Sequence, residues 1–211
     1  MKKMAGSKTV ICLVTAFIAF SSFALSFNKM DKRVAVTGSI SYNKPPAKDS
    51  AASQKAFLAA YKVLMSPRCM NCHPKGDIPL QGDDSHLHTQ GVKRGVDGKG
   101  VYALKCSNCH QPQNSVGLNT PPGNPKWHLP PANMKMVFEG KTPRELAAQL
   151  KDPTKNGHKT MKQLIDHVTS DKLVLGGWDP GDGRTLPPLS HAEFARKFKE
   201  WIDKGAYLPS K

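Results

Sequence analysis

Two copies of the pentapeptide Cys-x-x-Cys-His constrain this chain more than any other feature of its sequence. They lie at Cys69–His73 and Cys106–His110. In such a motif both thiols add to the vinyl groups of a c-type haem, and the histidine binds the iron from one face. The sequence therefore predicts two covalently bound haem c groups. Thioether bonds are expected at Cys69, Cys72, Cys106 and Cys109, and iron ligands at His73 and His110.

Two other kinds of site also use Cys-x-x-Cys pairs. Two pairs can form a four-thiolate zinc site, but the 33 residues between Cys72 and Cys106 exceed the usual spacer of about 15–20 residues. A thioredoxin-like redox pair requires a βαβ context, which the sequence does not predict around either motif. Neither alternative explains the histidine after each pair, so haem attachment is favoured over both.

The first 26 residues have the pattern of an export signal. Three lysines precede an apolar run of about 18 residues from Val10 to Phe27, and Ser22-Phe23-Ala24 fits a small-residue cleavage site. A cleaved signal peptide over residues 1–26 is favoured. An uncleaved membrane anchor is the alternative, because the run is near the minimum length for a spanning helix. Both interpretations place the rest of the chain in the periplasm, free or anchored to the inner membrane.

Cysteine count and charge narrow the function classes. Four of the five cysteines belong to the motifs and the fifth, Cys12, lies in the apolar leader, so no thiol remains for a structural disulfide. The formal net charge is +15. A basic surface suits docking on an acidic patch of a redox protein, although solubility alone explains it equally well. The basic residues are scattered without interleaved aromatic platforms, which argues against nucleic-acid binding.

Helices are the only regular elements that the sequence predicts. Phe57, Tyr61, Leu64 and Met65 form one face of a helix over Ser53–Ser66. Capping boxes at Thr142–Glu145 and Ser190–Glu193 begin two later helices, with another between them and a short one expected over Gly100–Lys105. No strand is convincing, so the predicted fold class is all-α, with long loops rich in proline and glycine that wrap the haem edges.

The spacing of the motifs predicts how the domain is organised. His73 and His110 are 37 residues apart, and segments below about 40 residues rarely sustain a core alone. The first haem must therefore take its surroundings from chain beyond the second motif. We expect a linker at 27–50, which contains Pro45-Pro46, followed by a single interleaved dihaem domain at 51–211.

These features resemble a class I c-type cytochrome. In that family a helix leads into Cys-x-x-Cys-His and a C-terminal helix crosses it, and Ser53–Ser66, Cys69–His73 and Ser190–Lys204 fit those parts. The stretches Pro79–Asp83, Trp127–Pro131 and Gly177–Gly181 are similar to dihaem cytochrome subunits of isoquinoline 1-oxidoreductase-type systems. That resemblance implies a molybdenum hydroxylase as electron donor.

The second axial ligand of each iron decides between a carrier and a catalyst, because an open position lets peroxide, oxygen or a substrate bind. His88 and Met136 are the first choices, with His128 as runner-up. Met134 is a further candidate, since both methionines stand where class I cytochromes carry a distal methionine. His167 lies on a predicted helix and is interpreted as an interfacial side chain.

The predicted function is electron transfer between a dehydrogenase and the respiratory chain, as a carrier or as the electron-transfer subunit of an oxidoreductase. The chemistry would belong to haem, and the chain would supply ligation, spacing and exclusion of water. A dihaem peroxidase is the alternative, although such chains are longer and no acid–base grouping stands out. A haem-based sensor ranks last because no output module is visible.

Overall fold

The computed structural model describes residues 48–210. The signal peptide or anchor predicted at 1–26, and most of the linker predicted at 27–50, lie outside the described residues. The described chain belongs to one compact unit. Between residues 48 and 210, no helix has the length and apolar character needed to cross a membrane.

Helices make up most of the regular structure. Two helices, Pro67–Met70 and Lys172–Leu175, are single turns, and short 3-10 turns lie at Cys106–Asn108 and Gly176–Trp178. The six α-helices of residues 48–210 are α1 (Ser50–Leu64), α2 (Pro67–Met70), α3 (Pro143–Lys151), α4 (Met161–Ser170), α5 (Lys172–Leu175) and α6 (His191–Asp203).

Helices α1 and α6 pack against each other and form the centre of the core. The rings of Phe57 and Trp201 lie with centroids 4.7 Å apart, and both side chains are fully buried. Ser53 links the same helices through hydrogen bonds: its Oγ donates to the Trp201 carbonyl at 2.8 Å and accepts from the Tyr207 N–H at 3.0 Å. The helix predicted at Ser53–Ser66 begins earlier, at Ser50, because the Asp49 carboxylate caps it by accepting from Ala52.

The predicted start of α3 is confirmed, and a similar start precedes α4. The Thr142 side chain accepts from the Glu145 N–H, and the Glu145 side chain accepts from the Thr142 N–H. Thr160 and Gln163 exchange the same pair of hydrogen bonds at the start of α4. Ser190 caps α6 by accepting from the Glu193 N–H. Between α3 and α4, the buried Asn156 side chain makes three hydrogen bonds to backbone groups. These local bonds fix the connection between α3 and α4, and α4 packs against α6.

The prediction of an all-α fold is wrong. Strand β1 (Leu80–Gln81) pairs antiparallel with β2 (His86–Leu87), and β3 (Gly100–Val101) pairs antiparallel with β4 (Leu104–Lys105). The short helix expected over Gly100–Lys105 is therefore a β-hairpin. Strands of two residues carry too little alternation to be seen in a sequence, and Tyr102 at the turn adopts a positive φ of 49°.

The expectation that only helices like those of class I cytochromes surround the two motifs is also wrong. The fold of residues 48–210 is mixed, with small antiparallel ladders close to both motifs. In this part of the chain, no group of three or more His, Cys, Asp or Glu side chains could hold a metal ion. Both ladders belong to the segment that joins the two motifs, so this segment is more ordered than the predicted polar loop.

Candidate functional site

The first motif begins on α2 and ends in the turn that follows it. Pro67 starts this helix where an N–H would have no partner, and the His73 N–H donates to the Met70 carbonyl. The His73 ring stacks on Phe138 with centroids 3.9 Å apart and planes 8° from parallel. Its Nδ1 donates to the Met136 carbonyl at 2.7 Å. The segment at 136–138 therefore fixes the orientation of this imidazole.

The second motif holds its histidine in the same way, although the local backbone differs. Cys106 begins a 3-10 turn, and the His110 N–H donates back to the Cys106 carbonyl. The His110 ring stacks on Trp127 with centroids 3.9 Å apart and planes 8° from parallel. Its Nδ1 donates to the Pro122 carbonyl at 2.8 Å. The loop rich in proline and glycine supplies both partners.

The two carbonyl partners determine which ring nitrogen carries the proton. A carbonyl can only accept, so Nδ1 of His73 and of His110 carries the hydrogen, and Nε2 keeps a free lone pair. Burial lowers the pKa of His73 to about 4 and also lowers the pKa of His110. Both rings are therefore neutral at pH 7. A neutral imidazole whose other nitrogen donates to a backbone carbonyl is the usual form of a metal-bound histidine.

The four motif thiols differ in exposure and do not pair with one another. Cys69 and Cys72 are half-buried, Cys106 is buried and Cys109 is exposed, and all four are free. Burial raises the pKa of Cys69 to about 12 and of Cys72 to about 11, so both are protonated thiols. Burial is the main cause of the raised pKa of Cys72, and Cys106 adds to it. In the part of the chain that the structure describes, the thiols do not converge on a common metal position.

The structure brings His88 to the second motif. Its ring centroid lies 6.4 Å from that of His110, with an angle of 66° between the planes. The ladder of β1 and β2 sets this position, because His88 directly follows β2 and its N–H donates to the Pro79 carbonyl at 2.9 Å. The His88 Nδ1 is buried without a hydrogen-bond partner.

Met136 takes a different position from the one expected of a distal ligand. Its carbonyl accepts from Nδ1 of His73, so its backbone lies on the side of that ring away from the free Nε2. Its side chain packs against the hydrophobic core. This geometry does not favour Met136 as a ligand opposite His73. Met134, two residues earlier, is half-buried in the same loop.

His128 and His167 each have one nitrogen engaged and one free. Nδ1 of His128 donates to the Lys126 carbonyl at 2.5 Å, and Nδ1 of His167 is 3.1 Å from the Asp171 carboxylate. His167 lies near enough to His73 to contribute to the lowering of its pKa. The sequence predicted an interfacial side chain at His167. No motif in the last turn of α4 signals that His167 is close to His73.

Buried polar atoms without hydrogen-bond partners are concentrated around the first motif. Most buried polar groups in proteins are paired, so each exception needs a reason. Within residues 48–210 six side-chain atoms are exceptions, and all of them lie between residues 66 and 94. They are Ser66 Oγ, Arg68 Nε, Asn71 Oδ1, Ser85 Oγ, His88 Nδ1 and Arg94 Nε. Their positions fit a ligand with polar edges between the first motif and the segment that follows it.

Comparison of the chain with protein-family models, with curated proteins and with solved structures gives no match. The functional assignment therefore depends on the two motifs and on the geometry around them.

Proposed function

We propose that this protein is an exported dihaem c-type cytochrome that carries electrons between a dehydrogenase and the respiratory chain. The observation that supports this proposal most directly is the matched setting of His73 and His110. Each follows a Cys-x-x-Cys pair, stacks on an aromatic ring and donates from Nδ1 to a carbonyl. A structural zinc site or a redox dithiol does not require this repeated arrangement.

The residues present fit two haem groups. Cys69 and Cys72 would hold one by thioethers and Cys106 and Cys109 the other, with His73 and His110 as the respective iron ligands. The haem would supply reversible one-electron chemistry, with a potential set by its axial ligands and surroundings. The carbonyls of Met136 and Pro122 accept from Nδ1 of His73 and His110, respectively, which leaves Nε2 of each ring free to bind iron.

His88 is the second ligand that we propose for the haem at the second motif. Its 6.4 Å ring separation from His110 leaves room for one metal ion between two imidazoles. Two histidine ligands would close that iron to peroxide and other small ligands. This arrangement favours the carrier over the dihaem peroxidase.

The charge of the chain and its resemblance to known subunits suggest the partners. With a formal net charge of +15, the protein suits an acidic docking patch, which would steer the encounter at low ionic strength. A molybdenum hydroxylase is the donor class that we propose, on the similarity of three stretches to isoquinoline 1-oxidoreductase-type subunits. The N-terminal segment would deliver the protein to the periplasm.

Haem content and reactivity test the proposal together. The full chain is expressed with a periplasmic haem-attachment system, and intact mass is measured for the wild type, for Cys69→Ala/Cys72→Ala and for Cys106→Ala/Cys109→Ala. We expect two haems in the wild type and one in each double variant. A wild type without covalent haem contradicts the proposal. Rapid peroxide turnover with an electron donor would instead support the peroxidase.

A further inference from the structure

Arg94 is the most deeply buried charged side chain of the described residues, with 1% of its surface exposed. Its guanidinium crosses between segments of the chain that are far apart in sequence. One Nη donates to the Pro130 carbonyl at 2.6 Å, and the other donates to the Gly76 carbonyl at 3.2 Å and the Pro74 carbonyl at 3.5 Å. Nε has no hydrogen-bond partner.

The positive charge of Arg94 lacks an anion of its own. The carboxylate of Asp77 is 3.9 Å from Nε, beyond hydrogen-bond distance. The same Asp77 oxygen lies 2.8 Å from Nζ of Lys135, and 56% of the Asp77 side chain is exposed. Three carbonyls solvate part of the guanidinium, but a buried charge without a hydrogen-bonded counter-charge is costly. An additional carboxylate on Nε would remove that cost.

The location of Arg94 identifies the anion that it could bind. Pro74 and Gly76, whose carbonyls it contacts, directly follow the first motif. Arg94 is also near enough to Cys72 to lower the pKa of that thiol, which burial raises. The Arg94 guanidinium therefore lies at the chain segment that directly follows the first motif, near Cys72.

We propose that Arg94 binds a propionate carboxylate of the haem attached at the first motif, through Nε and the adjacent Nη. This inference rests on the proposed function. It assigns Arg94 a positioning and electrostatic role, and not a role in ligating iron. A propionate neutralised by Arg94 no longer stabilises the positive charge of ferric haem, so Arg94 raises the reduction potential of this centre.

The test compares three variants of the haem-loaded, full-length protein. Arg94→Met removes the charge, and Arg94→Lys keeps the charge with a different shape. Arg196→Met is the control and removes a charge on the surface of α6, where 60% of the Arg196 side chain is exposed. Spectroelectrochemical titration gives the potentials of both haems, and the Cys106→Ala/Cys109→Ala variant identifies the potential of the first. Intact mass verifies that haem is present in each variant.

For Arg94→Met, the equilibrium constant for reducing the first haem should fall by about tenfold, or about 59 mV for a one-electron couple. Arg94→Lys should retain most of the potential, and Arg196→Met should change neither haem. If Arg94→Met does not fold, Arg94→Gln replaces it, because Arg94→Gln also removes the positive charge and should cause the same fall. A fully loaded variant without the Arg94 charge that keeps both wild-type potentials, or that shifts only the second haem, overturns the inference. A wild type without haem refutes the proposed function instead.

Discussion

Replacing His88 with alanine should remove the second axial ligand from one haem and leave the other unchanged. A metal–imidazole bond is about 2.0–2.1 Å long, and the ring centroid lies about 1.1 Å beyond the bound nitrogen, so two imidazoles on one iron have centroids about 6.2–6.4 Å apart. The observed separation of His88 and His110 is 6.4 Å. The separation of the two ring centroids therefore matches the distance that one iron between two imidazoles requires.

The assay is near-infrared magnetic circular dichroism with electron paramagnetic resonance on the ferric, haem-loaded protein. In the wild type we expect a bis-histidine, low-spin signal from the haem at the second motif. In His88→Ala about half of the total iron, one haem of the two, should lose that signal and become high-spin or bind water. The variant should also bind cyanide or imidazole at one iron per chain.

His86→Ala is the matched control. His86 lies two residues before His88 on β2, is exposed, and has its Nδ1 2.7 Å from the Asp84 carboxylate. Its removal should leave both haem spectra unchanged. A His88→Ala variant that keeps the full bis-histidine signal, or a His86→Ala variant that loses it, refutes His88 as the second ligand.

Two further predictions concern the scaffold around the second motif and α4. Gly98→Ala should destabilise the protein by about 3–5 kcal/mol in urea unfolding, because Gly98 has φ +79° and a Cβ there would lie 1.9 Å from the Leu129 carbonyl oxygen. Gly91→Ala, with φ +60° and no atom within 4 Å of its Cβ, should cost only about 1 kcal/mol; equal losses would contradict the steric argument. Asn156→Ala should cost about 3 kcal/mol, since it leaves buried backbone groups unpaired. The exposed Asn108→Ala should cost less than about 1 kcal/mol in the same measurement.

Features that depend on neighbouring residues could be predicted from the sequence. The capping box at Thr142 and the buried face of α1 are examples, because capping and helical periodicity are set within one or two turns. The ladders of β1 to β4 could not be predicted, since each strand has two residues and takes its pairing from turns with positive φ. The expected helix at Gly100–Lys105 failed for this reason.

The candidate site divides in the same way. The motifs predict Cys69, Cys72, His73 and their counterparts as haem-attachment residues, because the chemistry of haem attachment requires that local spacing. Phe138 carries no motif, and its stacking on His73 depends on chain 65 residues away. Met136 occupies the sequence position of a distal ligand, but its backbone is used to orient His73. Such a contact between distant segments has no signal in a single sequence.

The hydrogen bonds of Ser53 have a consequence for the timing of folding. Its two partners, Trp201 and Tyr207, are 148 and 154 residues away along the chain. Synthesis proceeds from the N-terminus, so these two hydrogen bonds cannot form until Trp201 and Tyr207 have left the ribosome. All four motif cysteines emerge well before that moment. The haem attachment proposed for these cysteines would therefore act on a chain in which these contacts between α1 and the C-terminal segment have not yet formed.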